Sequence, residues 1–396
     1  MAVNVLASLV FGFLAGFLFA FGIGANDVAN NFATSIGSGA ITLIKAFVLA
    51  SICEIIGALL LGDGVATEIS QGVINIHLFD DQLDKLILGY LSALVSSTLW
   101  LVVAAAFKMP VSATQTAIGA MVGMSIAAFG FTSVNVNAVL KIFLSWLVTP
   151  IMAGVVSVSI YVILRMRIFH LPSVKLQLGR CLFVLPFLYF LTIAVNIFIC
   201  LLEKPTFMPS SMSWSAWIPA TIGISIGVIF AILVAFIYIP YLRKSVKDQS
   251  FFEKRSPSQE ITESDQVQLM KQSHCENFME AEEFDDIGPL FWVLQVLASC
   301  FSSVAHGGND VANAIVPIMA MMEIYSTGQV PSEDLSTPVW LLVLGGSGMT
   351  VGLWAMGRRV VETLGSNLAH LTSPKVFKHP FQRQTNNLLQ TLEFLH

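Results

Sequence analysis

The chain has 396 residues, of which 55% are hydrophobic and 11% are charged, with a mean hydropathy of +0.77 and a formal net charge of -5. An ordinary soluble domain carries about 25% charged residues, so this composition excludes a soluble globular protein. So few charges also exclude a basic nucleic-acid-binding surface. No nucleophile–base pair or cofactor motif is visible, so we expect neither an enzyme nor a bound cofactor.

Nine predominantly apolar runs follow one another along the chain, each long enough or nearly long enough to cross a bilayer as a helix. They lie at about 4–24, 46–62, 86–107, 110–129, 139–164, 181–202, 216–241, 289–305 and 338–356. The predicted fold is an all-α polytopic membrane protein with about nine spans. The run at 110–129 has two interpretations, a crossing or a re-entrant hairpin, and the second would change the parity of the runs before it.

The loops between the runs predict the orientation. Residues 165–180 carry four basic residues and no acid, whereas residues 63–85 carry five acids and one lysine. Because short basic loops stay in the cytoplasm, we place 165–180 inside and 63–85 outside. The long hydrophilic segment at 242–288 is predicted to be a solvated cytoplasmic loop.

A seven-residue motif occurs twice in the sequence. Gly-Ala-Asn-Asp-Val-Ala-Asn at 24–30 recurs at 307–313 with only its second residue changed, and both copies interrupt an apolar run. The run after each copy contains glycines at the same spacing: Gly57 and Gly62, and Gly352 and Gly357. The first copy starts outside and the second starts from the cytoplasm, so we predict inverted repeats with broken helices, as in secondary transporters.

Three carboxylates lie within the apolar runs and their extensions: Asp27, Glu54 and Asp310. Each costs about 2.5–3.5 kcal/mol at a helix centre. Carboxylates and unwound carbonyls favour a hard cation such as Na⁺, while N–H groups at a new helix start favour an anion. The duplicated Asn-Asp break therefore predicts an ion site. Glu54 is interpreted as a cation ligand or proton-linked switch, with an interhelical hydrogen bond as the alternative, and His306 as a packed or water-bonded histidine.

A second candidate is the polar stretch after Lys108, where Pro110 is predicted to begin a helix. Ser112, Thr114 and Gln115 offer hydroxyls, an amide and helix-start N–H groups to an oxyanion. The alternative is that these hydroxyls bond only to the preceding helical turn.

Together these motifs resemble the inorganic phosphate transporter family of sodium- or proton-coupled phosphate symporters, over about residues 10–373 and most closely its eukaryotic branch. The resemblance implies a phosphate site at the repeat interface, formed by Asn26, Asp27, Asn30, Ser112, Thr114, Gln115, Asn309, Asp310 and Asn313. It also implies sodium bound by Asp27, Asp310, Asn26 and Asn309, and a coupling role for Glu54.

Two departures from the family pattern matter. Gln115 stands where the family usually has histidine, and after Ser373 the chain lacks a second acidic membrane helix and a second Pro-Val-Ser motif. We therefore expect a chain truncated at its C-terminus. The predicted organisation is a first repeat, connecting helices, a hydrophilic loop, the first part of a second repeat and a divergent tail, at 1–168, 169–241, 242–288, 289–373 and 374–396.

The leading functional prediction is cation-coupled symport of inorganic phosphate by alternating access, in a multi-pass protein of the plasma membrane. Its partners would be phosphate, sodium and the lipid bilayer, with no nucleic acid. A homo-oligomer is the arrangement in which another subunit supplies the missing part. The alternative, favoured by the missing motif, is a truncated non-transporting isoform that acts as receptor, sensor or dominant-negative partner.

Overall fold

A computed structural model describes residues 4–70, 73–171, 173–202, 205–206, 215–247, 288–331 and 337–365. Within these ranges the chain is almost entirely helical, and the β-structure consists of one isolated bridge between Ile74 and Val134. Most of the predicted loop at 242–288 and all of the predicted tail at 374–396, including the expected truncation, lie outside the described residues.

The described α-helices are numbered here in chain order. They are α1 Val5–Asn26, α2 Val28–Gly37, α3 Leu43–Ser70, α4 Leu83–Ala106, α5 Ala113–Phe129, α6 Val136–Leu164, α7 Val174–Leu202, α8 Trp217–Leu233, α9 Ile239–Lys247, α10 Trp292–Thr327, α11 Val339–Gly352 and α12 Arg358–Gly365. Single π-helical turns continue three of them, at Arg165–Phe169, Val234–Tyr238 and Leu353–Gly357.

The helices are long and apolar enough to confirm the predicted all-α membrane fold. Among the described residues, eight helical segments have the length and hydropathy of membrane spans. They are Val5–Gly37, Leu43–Gly62, Leu83–Ala106, Val136–Ile168, Lys175–Leu202, Trp217–Lys244, Pro289–Thr327 and Val339–Val361. The remaining predicted run, at 110–129, becomes α5, which has 17 residues.

The α4–α5 pair decides between the two interpretations of the run at 110–129. The loop before α4 is hydrogen-bonded to the loop after α5: Asn75 N–H donates to Ser133 O (2.9 Å) and Asn135 N–H donates to Val73 O (3.1 Å). Both ends of the pair therefore lie on the same side. Its tip at Met109 and Val111 is hydrogen-bonded to Asn26, which lies within the span Val5–Gly37, so the pair turns back inside the bilayer as a re-entrant hairpin. The acidic and basic loops at 63–85 and 165–180 are then separated by one crossing instead of three. Both numbers are odd, so the orientation predicted from charge is the same.

The two copies of the motif differ in how far they interrupt the helix. In the first copy Asp27 alone separates α1 from α2, and its N–H still donates to Ile23 O at 2.8 Å. In the second copy Gly307 and Asp310 lie inside α10, a continuous helix of 36 residues. The predicted second break is therefore wrong, because α10 keeps these backbone groups within its own turns.

The helices that carry the two copies belong to one compact unit, formed by Met1–Ile151, Ile199–Ser215 and Val296–Leu371. Within it, α1 meets α11 and α10 meets α3 through glycines. A Cβ atom at Gly24 would overlap the backbone carbonyl of Met349, and a Cβ atom at Gly307 would overlap that of Glu54. In the two repeats, Gly24 corresponds to Gly307 and Glu54 corresponds to Met349. Each contact is therefore repeated by its equivalent.

A second contact is also repeated between equivalent positions of the two repeats. A Cβ atom at Gly57 would overlap the backbone carbonyl of Val304, and one at Gly352 would overlap that of Phe21. These positions are again equivalent between the two repeats. Reciprocal contacts of this kind are the signature of a two-fold axis, so a pseudo-two-fold axis relates α1 and α3 to α10 and α11.

The direction of the equivalent helices shows that the repeats are inverted. Gly12 of α1 lies against Met321 of α10, and Gly16 of α1 lies against Ile318. Residue numbers thus rise along α1 as they fall along α10, so the two helices are antiparallel. A two-fold axis that relates antiparallel helices lies across the helix direction, as in inverted-topology transporters.

Candidate functional site

The extended segment before α5 is held by Asn26. The Asn26 side chain, which is fully buried, donates through Nδ2 to Met109 O (2.8 Å) and accepts through Oδ1 from Val111 N–H (2.9 Å). These two bonds hold the backbone on both sides of Pro110, which is not helical, and the residue before a proline also disfavours the helical conformation. As a result α5 begins at Ala113, and the prediction that Pro110 begins the helix is wrong.

The first turn of α5 is capped by Ser112 and by an acid from the first repeat. Ser112 Oγ accepts from Gln115 N–H at 3.3 Å, and Asp27 Oδ2 accepts from Ala113 N–H at 3.0 Å. A carboxylate at a helix start interacts favourably with the helix dipole. Two of the helix-start N–H groups considered for an oxyanion are thus bonded to the protein itself.

Thr114 links the same helix start to the second repeat. Its hydroxyl donates to Asp310 Oδ1 at 3.0 Å, and Asn313 Nδ2 donates to the Thr114 hydroxyl at 3.0 Å and to Asp310 Oδ1 at 3.3 Å. The tip of the re-entrant hairpin therefore lies between the two Asn-Asp copies, with Asp27 bonded to Ala113 and Asp310 bonded to Thr114.

Asp27, His306 and Asp310 form a cluster that could hold a cation. One ligand atom from each lies within 4.8 Å of the other two, and His306 Nε2 is 2.7 Å from Asp310 Oδ2. The Asp310 and His306 side chains are 13% and 16% exposed, so the cluster retains some access from outside the protein interior. Two carboxylates and an imidazole at this spacing supply hard oxygen ligands and one titratable nitrogen.

Glu54 is joined to this cluster by His306. Glu54 is fully buried, and its Oε2 is 2.9 Å from His306 Nδ1 while its Oε1 accepts from Ser303 Oγ at 2.6 Å. The interpretation of His306 as a packed or water-bonded histidine is therefore wrong, since its ring contacts Glu54 on one side and Asp310 on the other. The four-residue spacing from His306 to Asp310 was visible in the sequence, but the contact with Glu54 joins residues of opposite repeats.

Polar side chains extend from Glu54 between α2 and α10. Asn31 Nδ2 donates to Glu54 Oε1 at 3.4 Å, and Ser302 Oγ donates to Asn31 Oδ1 at 2.8 Å. One turn further, the hydroxyls of Ser35 and Ser299 are 2.8 Å apart. Asn31 and the serines were not among the predicted site residues, because single hydroxyls and amides in membrane helices are common.

The remaining predicted residues lie outside the hydrogen-bonded cluster. Asn30, Gln115 and Asn309 are exposed. By the pseudo-two-fold relation, Asn309 is the equivalent of the buried Asn26, and Asn30 is the equivalent of the buried Asn313. The equivalents differ in environment because the tip of the α4–α5 hairpin lies against Asn26 and Asn313.

For the phosphate that the family resemblance implies at this helix start, we expect Asn26→Ala to weaken binding about tenfold, since two hydrogen bonds of roughly 0.5–1.5 kcal/mol each position the helix start. The measurement is the KM of phosphate uptake in liposomes. Asn196→Ala is the matched control, because among the described residues the Asn196 side chain donates to Thr192 O of its own helix and to no other element. Equal KM values for the two variants would contradict the positioning role.

Comparison with known proteins identifies the family of the chain. Residues 23–380 match the phosphate transporter family. The chain is 32% identical to a putative phosphate permease of Haemophilus influenzae, over 92% of this chain and 78% of the relative. It is 26% identical to sodium-dependent phosphate transporter 2 of Xenopus laevis, over 88% and 83% of the two chains.

A solved structure described as the sodium-dependent phosphate transporter is also similar. It superposes with a TM-score of 0.72 at 29% identity, covering 97% of this chain and 84% of the other. The match to the family model spans most of the sequence and includes both Asn-Asp copies and the hairpin tip between them. The chain is therefore a multi-pass membrane protein that belongs to the phosphate transporter family.

Proposed function

We propose that this phosphate transporter couples phosphate movement to sodium ions and works by alternating access in the plasma membrane. The observation that carries the proposal is the cluster of Asp27, His306 and Asp310, whose ligand atoms lie within 4.8 Å of one another. The names of the Xenopus relative and of the similar solved structure support sodium as the coupling ion.

The proposed sodium ligands are the carboxylates of Asp27 and Asp310 and the carbonyl oxygen of Asn313. Asn313 Oδ1 is buried and has no hydrogen-bond partner among the described residues. A buried acceptor without a donor is costly, and a hard cation would satisfy it together with the carboxylates. We assign Asn26 a positioning role instead, since both polar atoms of its side chain are bonded to the hairpin.

The charge of the cluster predicts the order of binding. Without a cation, Asp27 and Asp310 would repel a phosphate anion strongly in a site of low dielectric constant. A sodium ion between them cancels one of the two negative charges and so lowers the repulsion, which is why we expect sodium to bind first and phosphate second. The proposed phosphate ligands are the exposed polar side chains of Asn30, Ser112, Gln115 and Asn309. Thr114, whose hydroxyl donates to Asp310, joins them if that bond is released when sodium binds.

The membrane potential constrains the stoichiometry. An inside-negative potential opposes entry of a divalent anion by about 4.6 kcal/mol per 100 mV, at roughly 2.3 kcal/mol for each charge. Two sodium ions per phosphate cancel this cost, and further ions would make the potential a driving force. The cluster of Asp27, His306 and Asp310 accounts for one of these cations.

An apolar cavity next to the cluster supports alternating access. Asn313 lines it together with Phe19 of α1, Leu94 of α4, Met121 of α5 and Val316 of α10. Its lining thus comes from both repeats and from the hairpin, so a rotation of one repeat against the other would change its width. The cavity also reaches the loop before α4, which the charge pattern places outside. We therefore assign it to the closed outer half of the transport path.

The direct test is uptake of radioactive phosphate by liposomes that contain the purified full chain. An inward sodium gradient is expected to drive accumulation, and a potassium gradient of the same size is not. Equal accumulation in both would contradict sodium coupling. Accumulation equal to that of empty liposomes would contradict transport and favour a receptor or sensor role. Competition with sulfate and arsenate tests the selectivity for phosphate.

We expect Glu54→Gln to lower sodium-driven uptake about tenfold, because the change removes a charge-assisted contact of roughly 1.5–3 kcal/mol with His306. The shape of the side chain is kept, and glutamine still accepts from Ser303. Ser303→Ala is the matched control, since it deletes a neutral donor to Glu54 and leaves the charge. Uptake and the thermal unfolding midpoint are measured for both. A Glu54→Gln variant with unchanged uptake would contradict the coupling role.

A further inference from the structure

Two thiols from opposite repeats meet beside Glu54. Cys53 of α3 and Cys300 of α10 are in side-chain hydrogen-bonding contact, and neither is in a disulfide. Cys53 is buried and Cys300 is half-buried. Neither thiol has a part in the ion site described above.

The packing of α3 against α10 places the two thiols at a suitable distance for a covalent bond. The backbones are in contact where a Cβ atom at Gly57 would overlap Val304 O. Cys53 lies one turn before Gly57, and Cys300 lies one turn before Val304. Because residues four apart share a helix face, and because the two helices run in the same direction, the thiols face each other next to this contact. A disulfide requires Cα atoms about 4.4–6.8 Å apart, and side chains in hydrogen-bonding contact one turn from a backbone contact are close enough for small helix movements to reach this range.

The parallel direction of the two helices is visible in their register. Gly57 lies against Val304, and one turn later Leu61 lies against Gly308. One turn earlier, the same register pairs Cys53 with Cys300. The thiol contact is therefore set by the glycine-mediated helix crossing as well as by the side-chain conformations.

We propose that Cys53 and Cys300 are a modification site, at which a peroxide forms a reversible disulfide that joins the two repeats. The half-buried Cys300 loses its proton to water, its sulfur attacks the O–O bond of hydrogen peroxide, and a sulfenic acid and water form. The Cys53 sulfur then attacks the Cys300 sulfur. The S–S bond forms as the S–O bond breaks, and a second water is released. Two thiols are oxidised and one peroxide is reduced to two waters.

The disulfide would act on transport through the residues next to it. Cys53 precedes Glu54 directly, and Cys300 lies one turn before Ser303, which donates to Glu54 at 2.6 Å. A covalent bond here would fix α3 to α10, so that the two repeats could not move independently at this crossing. This effect on transport rests on the proposed alternating access, whereas the disulfide itself does not.

The formation of the bond is tested on the full chain in liposomes, with a protease site inserted within residues 248–287. After treatment with hydrogen peroxide and cleavage, the two fragments are separated on a denaturing gel without reductant. We expect them to stay joined in the wild type and in Cys181→Ser, and to separate in Cys53→Ser and Cys300→Ser. Separation in the oxidised wild type, or joined fragments in Cys53→Ser, would overturn the proposal.

The effect on transport is measured in the same liposomes. We expect sodium-driven phosphate uptake to fall in proportion to the joined fraction, to recover with dithiothreitol, and to be insensitive to peroxide in Cys300→Ser. Joined fragments with undiminished uptake would overturn the claim that the bond locks the repeats. If no liposome accumulates phosphate before oxidation, the proposed function fails, and the gel still decides whether the disulfide forms.

Discussion

Replacing Asp310 by asparagine is expected to lower the affinity for sodium by at least a hundredfold and to abolish concentrative phosphate uptake. The change removes one carboxylate from the cluster with Asp27 and His306, and it leaves an amide that can still accept from Thr114. Removing one partner of a buried charge pair costs roughly 3–5 kcal/mol, and 1.4 kcal/mol corresponds to about a factor of ten. Binding of radioactive sodium and uptake of phosphate are measured on the same preparation.

Asp81→Asn is the control for this result, because Asp81 is an exposed acid in the loop before α4. Its uptake and sodium binding should equal those of the wild type. The order of binding gives a second readout, since phosphate affinity in the wild type should rise with sodium concentration, and in Asp310→Asn it should not. An Asp310→Asn variant that binds sodium normally would exclude Asp310 as a ligand.

Replacing Gly24 by alanine is expected to destabilise the fold by about 1–3 kcal/mol, as in other over-packed interiors. The added Cβ would overlap the backbone carbonyl of Met349, and backbone cannot move aside as a flexible side chain does. Gly307→Ala should have a similar effect, because Gly307 meets the backbone of Glu54 in the equivalent contact. The measurement is the thermal unfolding midpoint of the purified chain in detergent.

Gly119→Ala is the matched control in the re-entrant helix α5, where a Cβ atom would have no heavy atom within 4 Å. Alanine favours helix over glycine by about 1 kcal/mol, so this variant should unfold at the same temperature or a higher one. If Gly24→Ala and Gly307→Ala unfold at the same temperature as Gly119→Ala, the reciprocal packing of the repeats would be refuted.

The pseudo-two-fold relation also explains why residues at equivalent positions have different roles. Gly24 and Gly307 make the same contact, but their partners Met349 and Glu54 differ in charge. The acid therefore occurs on one side of the axis, and within the described residues His306 joins it to Asp310 of the opposite repeat. We infer that the acids of the site have separate roles. Asp27 and Asp310 bind the cation, and Glu54 positions the ring of His306.

In the proposed mechanism, the re-entrant hairpin connects these two roles to the phosphate. Its tip is held from the first repeat by Asn26 and Asp27 and from the second by Asp310 and Asn313. A movement of one repeat relative to the other must therefore break or lengthen bonds at the start of α5. This coupling is the physical basis for the expected effect of Asn26→Ala on phosphate affinity.

Much of the fold and part of the site could be predicted from single residues and their spacing. Apolar runs of about 20 residues identify membrane helices because unpaired backbone groups are too costly in lipid. The cost of a charged side chain in lipid likewise identifies Asp27, Glu54 and Asp310 as candidate site residues, since a carboxylate in an apolar run requires a partner. The duplicated Asn-Asp motif predicts the inverted repeats, whose reciprocal contacts the structure contains.

The predictions that failed concern distant contacts and local backbone competition. The helix α5 begins at Ala113 and not at the predicted Pro110, because the side chain of Asn26, some 85 residues away, accepts from the backbone N–H of Val111. The second break at Gly307 is absent because α10 retains its helical bonds there. Glycine and proline indicate where a helix can end, but the partners available in the folded chain decide whether it does.

The sequence by itself determined the membrane class, the internal repeat, the three buried acids and the family, because each depends on composition or on local motifs. Only the tertiary structure decided that His306 joins Glu54 to Asp310, that α4 and α5 form a re-entrant hairpin, and that Cys53 meets Cys300. The physical reason is that these contacts join residues of different elements, up to 252 positions apart for Glu54 and His306. Their distances depend on how helices pack through glycines, which no single stretch of sequence specifies.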